Sequence, residues 1–305
     1  MSCIEDIAVF IEVAERGSFA AAARRLSRSP AAVTRAVAEL EARLGVRLLT
    51  RTTRAVALTE AGQQFLAGAR RVLADLDEIE RAAAGEGTAP RGELRITAPI
   101  LFGRLHVLPV VLEFLRRFAD VSVALSLLDR PVELVEEGFD VAVRIGALAE
   151  SSAVATRLGA VRRIAVASAD YLARRGTPRS PADLCVHAVV AFAGIAGIER
   201  WLFHGRSGEA GVTIRPRLTV STAEAALDAA RAGFGVTRVL SYQAAADIAR
   251  GSLLRLLPAD EGDDIPIHVV YPGGRHPPPK LRAFLDFAVP RLRRRCAAIT
   301  RAVSA

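Results

Sequence analysis

The sequence predicts a two-part α/β chain: a small, mostly helical N-terminal module closed by a β-hairpin, then a larger domain built on a doubly wound sheet. Three observations predict it. In the first 45 residues apolar positions recur at helical spacing, interrupted at Gly17, at 27–29 and at Gly45. Residues 46–51 and 55–58 read as two short strands around a basic tip. From Gly92 onward strand-type and helix-type runs alternate, as in βαβ units. With 305 residues, 51% hydrophobic and 24% charged, the chain has material for at least two cores, which excludes disorder and a small disulfide-stapled scaffold.

Within the N-terminal module, Ile4, Ile7, Ala8, Ile11 and Ala14 define a first helix that ends at Gly17. Ser18 is the expected N-cap of a second, alanine-rich helix over 19–26, and 27–29 form the turn. Pro30, favourable in a first helical turn, opens a third helix over 30–44. Its apolar stripe is Val33, Val37, Leu40 and Leu44; the opposite face shows Ala31, Thr34, Arg35 and Ala38. Small residues with one hydroxyl and one guanidinium can enter a major groove and still offer donors to base edges, although an ordinary solvated helix face has the same composition.

Charge narrows the choice. The whole chain carries 41 basic and 33 acidic residues, net +8, with Lys280 its single lysine. Residues 16–58 hold nine arginines (16, 24, 25, 28, 35, 43, 47, 51 and 54) against Glu39 and Glu41, while the flanks 1–15 and 60–92 are acidic. A confined basic patch is the footprint of a module facing phosphates.

Four blocks then carry a resemblance: Phe10, Val13, Ala14, Gly17, Ser18, Phe19, Ala22 and Ala23; the run from Leu26 through Val37 with Leu40 and Glu41; Leu44, Gly45, Val46, Leu48, Leu49 and Arg51 to Arg54; and Leu58, Thr59, Glu60, Ala61 and Gly62. In this order they resemble the winged helix-turn-helix of LysR-type transcriptional regulators. The resemblance implies a DNA-binding domain over 1–59, with the helix-turn-helix at about 18–37 and the wing at 46–58. It places Ser29, Pro30, Ala31, Thr34 and Arg35 nearest DNA, and Arg51 and Arg54 on the wing. Many members carry glutamine where Pro30 stands, so one direct adenine contact is absent.

Residues 60–84 show a 4-3-4-3-4 apolar seam through Phe65, Ala69, Val72, Leu76, Ile79 and Ala83, which needs a second apolar surface, in its own domain or in another subunit. In the family this is the linker helix of a homodimer, commonly assembled further into a homotetramer. The stretch 85–92, rich in helix breakers, reads as a hinge.

Beyond it the expected elements are strands at 93–98, 121–127 and 139–144 with helices at 105–117 and 132–137. A second set follows: strands at 163–167, 188–192, near Trp201, at 212–220 and at 236–240, with helices at 169–175, 223–232 and 242–250. A strand at 266–271 and a helix from 279 to about 303 close the chain. The runs 92–99, 134–146, 232–236 and 253–258 are similar to the effector-binding domain of the same regulators, an α/β fold of two lobes like periplasmic binding proteins. That assigns 93–162 and 266–305 to lobe 1 and 163–265 to lobe 2.

An effector between lobes would meet strand ends and helix N-termini, whose free N–H groups suit a small carboxylate. Candidates are Thr97, Pro99 and Ile100 after the first strand, and Ser221 and Thr222 before the 223 helix. Arg144 at a strand tip is a candidate anion clamp, with Phe192, Trp201 and Thr237 for the wall. Each has an ordinary reading as strand end, cap or core.

Catalysis is not expected. The histidines 106, 187, 204, 268 and 276 fall in no metal-ligand spacing, and Gly233 to Arg238 fail the dinucleotide fingerprint at its last glycine. No cofactor, metal or catalytic residue is assigned. Cys3, Cys185 and Cys296 form no disulfide framework, the N-terminus lacks a signal peptide, and the apolar run 185–198 is too short to span a bilayer, which points to the cytoplasm. Some relatives sense redox through cysteine, but no cysteine pair is close in sequence here. The cluster Arg291, Arg293, Arg294, Arg295 and Arg301 reads as a solvated helix face or as added DNA contact. The competing function is a solute-binding or small-molecule-metabolising protein whose N-terminal module does not read DNA.

Overall fold

The computed structural model describes residues 3–51, 56–83, 89–148, 153–192, 200–205, 208–273 and 277–304. The chain forms two compact units, Met1–Ala89 and Pro90–Ala305.

In the first unit, α1 (Cys3–Arg16) buries Val9, Phe10 and Val13 and ends at Gly17, whose φ of +59° is a left-handed conformation that glycine adopts without a Cβ penalty. Helix α2 (Phe19–Arg25) is capped by Ser18 Oγ, which accepts from Ala21 N at 3.3 Å. Helix α3 (Pro30–Leu44) is capped in the same way by Ser29, and Gly45 terminates it in the left-handed region. Strands β1 (Leu49–Arg51) and β2 (Val56–Leu58) pair antiparallel with Leu49 opposite Leu58. The expected strand over 46–51 loses its first half because the amides of Leu48 and Leu49 donate to Glu41 Oε1 of α3, at 2.8 and 3.0 Å, instead of entering a ladder. Leu44, expected on the apolar stripe, is 41% exposed, and Ala36 is buried in its stead.

Helix α4 (Glu60–Ala83) starts at Thr59, whose hydroxyl accepts from Gly62 N at 2.9 Å and donates to the Arg47 carbonyl at 2.8 Å. It packs on α1 through Phe65, set edge-on to Phe10 at 5.5 Å, and through buried Ala69. No helix among the described residues is long and apolar enough to cross a membrane.

The second unit contains two five-stranded sheets. One has the order β4-β3-β5-β14-β6, from β3 (Gly92–Ala98), β4 (Val121–Leu127), β5 (Val141–Ile145), β6 (Val154–Val161) and β14 (Ile265–Tyr271). The other has the order β11-β8-β12-β7-β13, from β7 (Arg163–Ala167), β8 (Val189–Phe192), β11 (Leu218–Val220), β12 (Val236–Leu240) and β13 (Leu254–Leu256). Both are mixed: β14 runs antiparallel to its neighbours in the first, as β7 does in the second. A hairpin of β9 (Arg200–Gly205) and β10 (Gly208–Thr213) stands apart, its Trp201, Phe203 and Val212 packing into the lobe 2 core. The expected run 212–220 thus divides between β10 and β11, at Pro216.

Several expected helices differ. The segment after β3 turns helical at once, as α5 (Ile100–Phe102), then widens into a π-helical turn, Gly103–Val107, before α6 (Leu108–Arg117). Pro109, near the start of α6, has no amide to donate backward, and a wider turn just before it accommodates that loss. The segment 132–137 is one turn rather than a helix: Phe139 N reaches Leu134 O at 2.8 Å, Gly138 N reaches Val135 O at 3.3 Å, and Gly138 sits at φ +75°. Between Pro131 and Gly138 there is no room to propagate past the nucleus. Lobe 2 carries α7 (Ala169–Arg175), α8 (Ala223–Arg231) and α9 (Ser241–Ala249). The final helix, α10 (Pro279–Ser304), places Leu281, Phe284, Leu292 and Ile299 in the lobe 1 core and Val303 in the lobe 2 core.

Candidate nucleic-acid interface and ligand cleft

On α3, burial divides the two faces. Val33, Ala36, Val37 and Leu40 are buried, while Ser29, Pro30, Ala31, Arg35 and Ala38 are exposed and Thr34 is half-buried. The hydroxyl of Ser29 is occupied as a cap, so its free partner for DNA is limited to what the cap leaves over. The arginines of the patch are not equivalent. Arg16 pairs with Glu12, Arg28 with Glu5 at 3.8 Å and Arg43 with Asp6 at 3.4 Å. Arg24, Arg25, Arg35 and Arg47 form no ion pair among the described residues and keep their full donor capacity. Glu12, Glu5 and Asp6 of the acidic flank noted in the sequence thus engage Arg16, Arg28 and Arg43 and leave Arg35 on the exposed face of α3 unpaired among the described residues. Arg51 ends β1 opposite Val56, and Arg54 lies outside the described residues.

The apolar seam of α4 divides as well. Phe65 and Ala69 belong to the core of their own unit, because α1 covers them. Val72 is 54% exposed and Leu76 half-buried; the side chains of Ile79 and Ala83 lie outside the described residues.

In the second unit a cavity of about 1030 Å³ is lined from both lobes. Of the expected residues, Pro99, Arg144 and Phe192 line it. Thr97 is wholly buried on β3, between β4 and β5, with Oγ1 unpartnered among the described residues. Ile100 offers no free amide, since its N–H donates to Asp129 Oδ1 at 2.9 Å. Thr222 caps α8 by accepting from Ala225 N at 3.2 Å, and Ser221 beside it is exposed away from the lining. Trp201 is a core residue of lobe 2, with the Arg238 guanidinium 5.9 Å from its ring centroid. Thr237 is buried and donates to Val190 O at 3.0 Å, a bond internal to the sheet.

The lining contains residues that periodicity alone does not mark. Tyr242, 4% exposed, stands edge-on to Phe102 at 5.3 Å and accepts from Gln243 Nε2 at 3.3 Å; burial raises its phenol well above the usual range. Arg163 opens β7 from an Arg162–Arg163 pair between two strands, the one visible cue to it. Arg144 donates to the Val143 carbonyl at 3.4 Å, and burial lowers its pKa against the opposing pull of Glu137. Glu137 itself is engaged by Arg130 in a two-pronged pair at 2.8 and 2.6 Å.

Other sequence features resolve into structure. Gly233, at φ +72°, turns the chain out of α8, and a Cβ on Gly235 would sit 2.2 Å from the Ala188 carbonyl. This glycine pair serves strand approach, not phosphate binding. Cys3 and Cys185 are exposed, while Cys296 is buried with its thiol pushed up to about 11. Of the C-terminal arginines, Arg291 lies 3.5 Å over the Phe287 ring and pairs with Glu113, and Arg293 donates to the Arg157 carbonyl. Among the described residues no group of histidine, cysteine and acidic side chains could hold a metal ion.

Comparison with known proteins matches residues 4–63 to the bacterial regulatory helix-turn-helix protein family, lysR type, and residues 87–293 to the LysR substrate binding domain. The chain is 33% identical over 95% of its length to an HTH-type transcriptional regulator of Xanthomonas campestris pv. campestris, covering 85% of that protein. It is 35% identical to PtxR of Pseudomonas aeruginosa, with 91% of this chain and 89% of that one covered. Among solved structures, CrgA of Neisseria meningitidis, described as a LysR-type transcriptional regulator, superposes with a TM-score of 0.61 at 32% identity, covering 94% of this chain and 98% of that one. The full-length AphB virulence activator of Vibrio cholerae gives 0.59 at 26% identity, covering 95% and 99%.

Proposed function

Because the chain belongs to the LysR family of bacterial DNA-binding transcriptional regulators with an effector-binding domain, we propose which residues perform each task. The exposed face of α3, with Pro30, Ala31, Thr34 and Arg35, enters the major groove of promoter DNA, with the cap residue Ser29 at its edge. Arg51 and Arg54 on the wing contact backbone or minor groove. What supports this most is the set of arginines without acidic partners among the described residues, Arg24, Arg25, Arg35 and Arg47, while Arg16, Arg28, Arg43 and Arg70 are paired. The far half of α4, from Val72 onward, joins two copies into a homodimer, the unit of a homotetramer. The protein works in the cytoplasm by binding, without catalysis.

The cleft of the second unit holds a small-molecule effector, a carboxylate by the arginines that line it. A ligand that prefers one arrangement of the two lobes shifts the population toward it and so changes how promoter DNA is occupied. A titration against the upstream intergenic DNA tests the reading: sequence-specific protection is expected, and its footprint should change at saturating effector. Ligand binding without any specific protection would favour the solute-binding or metabolic alternative.

A further inference from the structure

Arg255 is held by both oxygens of Glu261 and donates to the Val303 carbonyl, but three other arginines each keep a guanidinium nitrogen buried without a hydrogen-bond partner among the described residues. One of them, Arg238, does not line the cavity; it lies 4.6 Å over the Phe203 ring and donates to the Leu202 carbonyl, with Nε the nitrogen left over. The other two line the cavity. Nη2 of Arg144 and Nε of Arg163 are buried without a hydrogen-bond partner among the described residues, and neither side chain forms an ion pair there. Arg144 comes from β5 of lobe 1 and Arg163 from β7 of lobe 2. A buried charged donor without an acceptor is costly, so the pair marks a place where acceptors arrive from outside. The carboxylates on the same lining are otherwise placed: Asp129 accepts from Ile100 N, and Glu133 and Glu136 are exposed.

The fork of a guanidinium fits a carboxylate, and there are two forks, one per lobe. The same cavity offers apolar side chains to a ligand body, Phe192, Leu240, Ile265 and Val270. We propose that the effector is a short α,ω-dicarboxylate with a hydrocarbon body, one carboxylate on Arg144 and the other on Arg163, so that the ligand bridges the lobes. This rests on the reading of the cavity as the effector site. A bridging ligand binds one lobe spacing better than others, which is what a shift of lobe population requires.

The test is calorimetric titration of the full-length protein with succinate, glutarate, adipate and pimelate, each set against the monocarboxylate of the same carbon number, plus 1,6-hexanediol. At least one dicarboxylate should bind about tenfold or more tightly than its monocarboxylate, each added charged contact being worth that much, while the diol does not bind. Arg144→Gln and Arg163→Gln should each reduce that dicarboxylate to the monocarboxylate's affinity. If either glutamine variant fails to fold, Arg144→Lys and Arg163→Lys carry the test, keeping charge but losing the fork, and should weaken the dicarboxylate selectively. Dicarboxylates that bind no tighter than monocarboxylates, bind not at all, or ignore both arginines overturn the proposal. Ala155→Trp, which puts an indole on the cavity lining, separates the two levels: a dicarboxylate indifferent to it and to both arginines refutes the cavity as the site, whereas weakening by it with indifferent arginines refutes only the bridging.

Discussion

Arg35 is exposed on α3 and unpaired among the described residues, so its loss should register in DNA recognition and hardly in folding. Arg35→Ala is expected to weaken binding to the cognate site by about 1–3 kcal/mol and relax discrimination there, measured by fluorescence anisotropy against matched and altered sites. Arg43, paired with buried Asp6, should behave oppositely, with its effect on stability. The sequence displays both as members of one basic run; that one of them answers an acid 37 residues earlier is a tertiary fact no local pattern carries. A second expectation concerns pH. Burial and then the nearby Arg295 charge lower His106 to about 4, against an ordinary value of 6.5. Between these values the unfolded chain binds a proton that the native imidazole refuses, so stability is full above pH 6.5 and falls as the pH drops toward 4. His106→Phe, in a pocket already shared with Phe102 and Tyr242, should flatten this part of the thermal-stability profile; an unchanged slope would show the imidazole to be solvated.

Helix α4 begins against the loop before β1, and Gly62 makes that approach. A Cβ there would lie 2.0 Å from the Leu48 carbonyl oxygen, which is backbone already accepting from Thr59 N. Gly62→Ala should destabilise the first unit by about 1–3 kcal/mol, whereas Gly68→Ala, two turns on with nothing within 4 Å, should stabilise it by roughly 0.5–1 kcal/mol. Urea unfolding of the two variants compares them directly. Elements whose ends carry chemistry were legible: α3 between Pro30 and Gly45 and α7 behind Ser168, as was β7, an apolar run after its first residue. Strand β6 was not, because as an edge strand it exposes Val154, Ala155 and Arg157 and shows no clean alternation. The ligand cleft was half legible. Arg144 stands out as a charge on an apolar strand, but Arg163 and Tyr242 reach the cavity only through the pairing of lobes, and Trp201 looked like a wall because an aromatic is equally suited to a core.

At the scale of the assembly, α4 leaves Val72 54% exposed once its first half is packed on α1. A partner copy would cover it, and Leu76→Asp should then halve the mass seen by sedimentation equilibrium; an unaltered mass would place the subunit contact elsewhere. Within the second unit, α10 fastens both lobes, Leu292 in one core and Val303 in the other, with the Val303 carbonyl held by Arg255. Strand β14 has a comparable reach: it lies between β5 and β6 and hydrogen-bonds to both. In the growing chain, β5 and β6 therefore emerge with open edges and wait about a hundred residues for the strand that joins them, while the whole of lobe 2 is made in between. Lobe 2 can pair most of its strands during that interval; the sheet of lobe 1 cannot. The first lobe to begin synthesis is thus the last to close its sheet, and its two waiting edges are where a chaperone, or a second nascent chain, would find a strand to pair with.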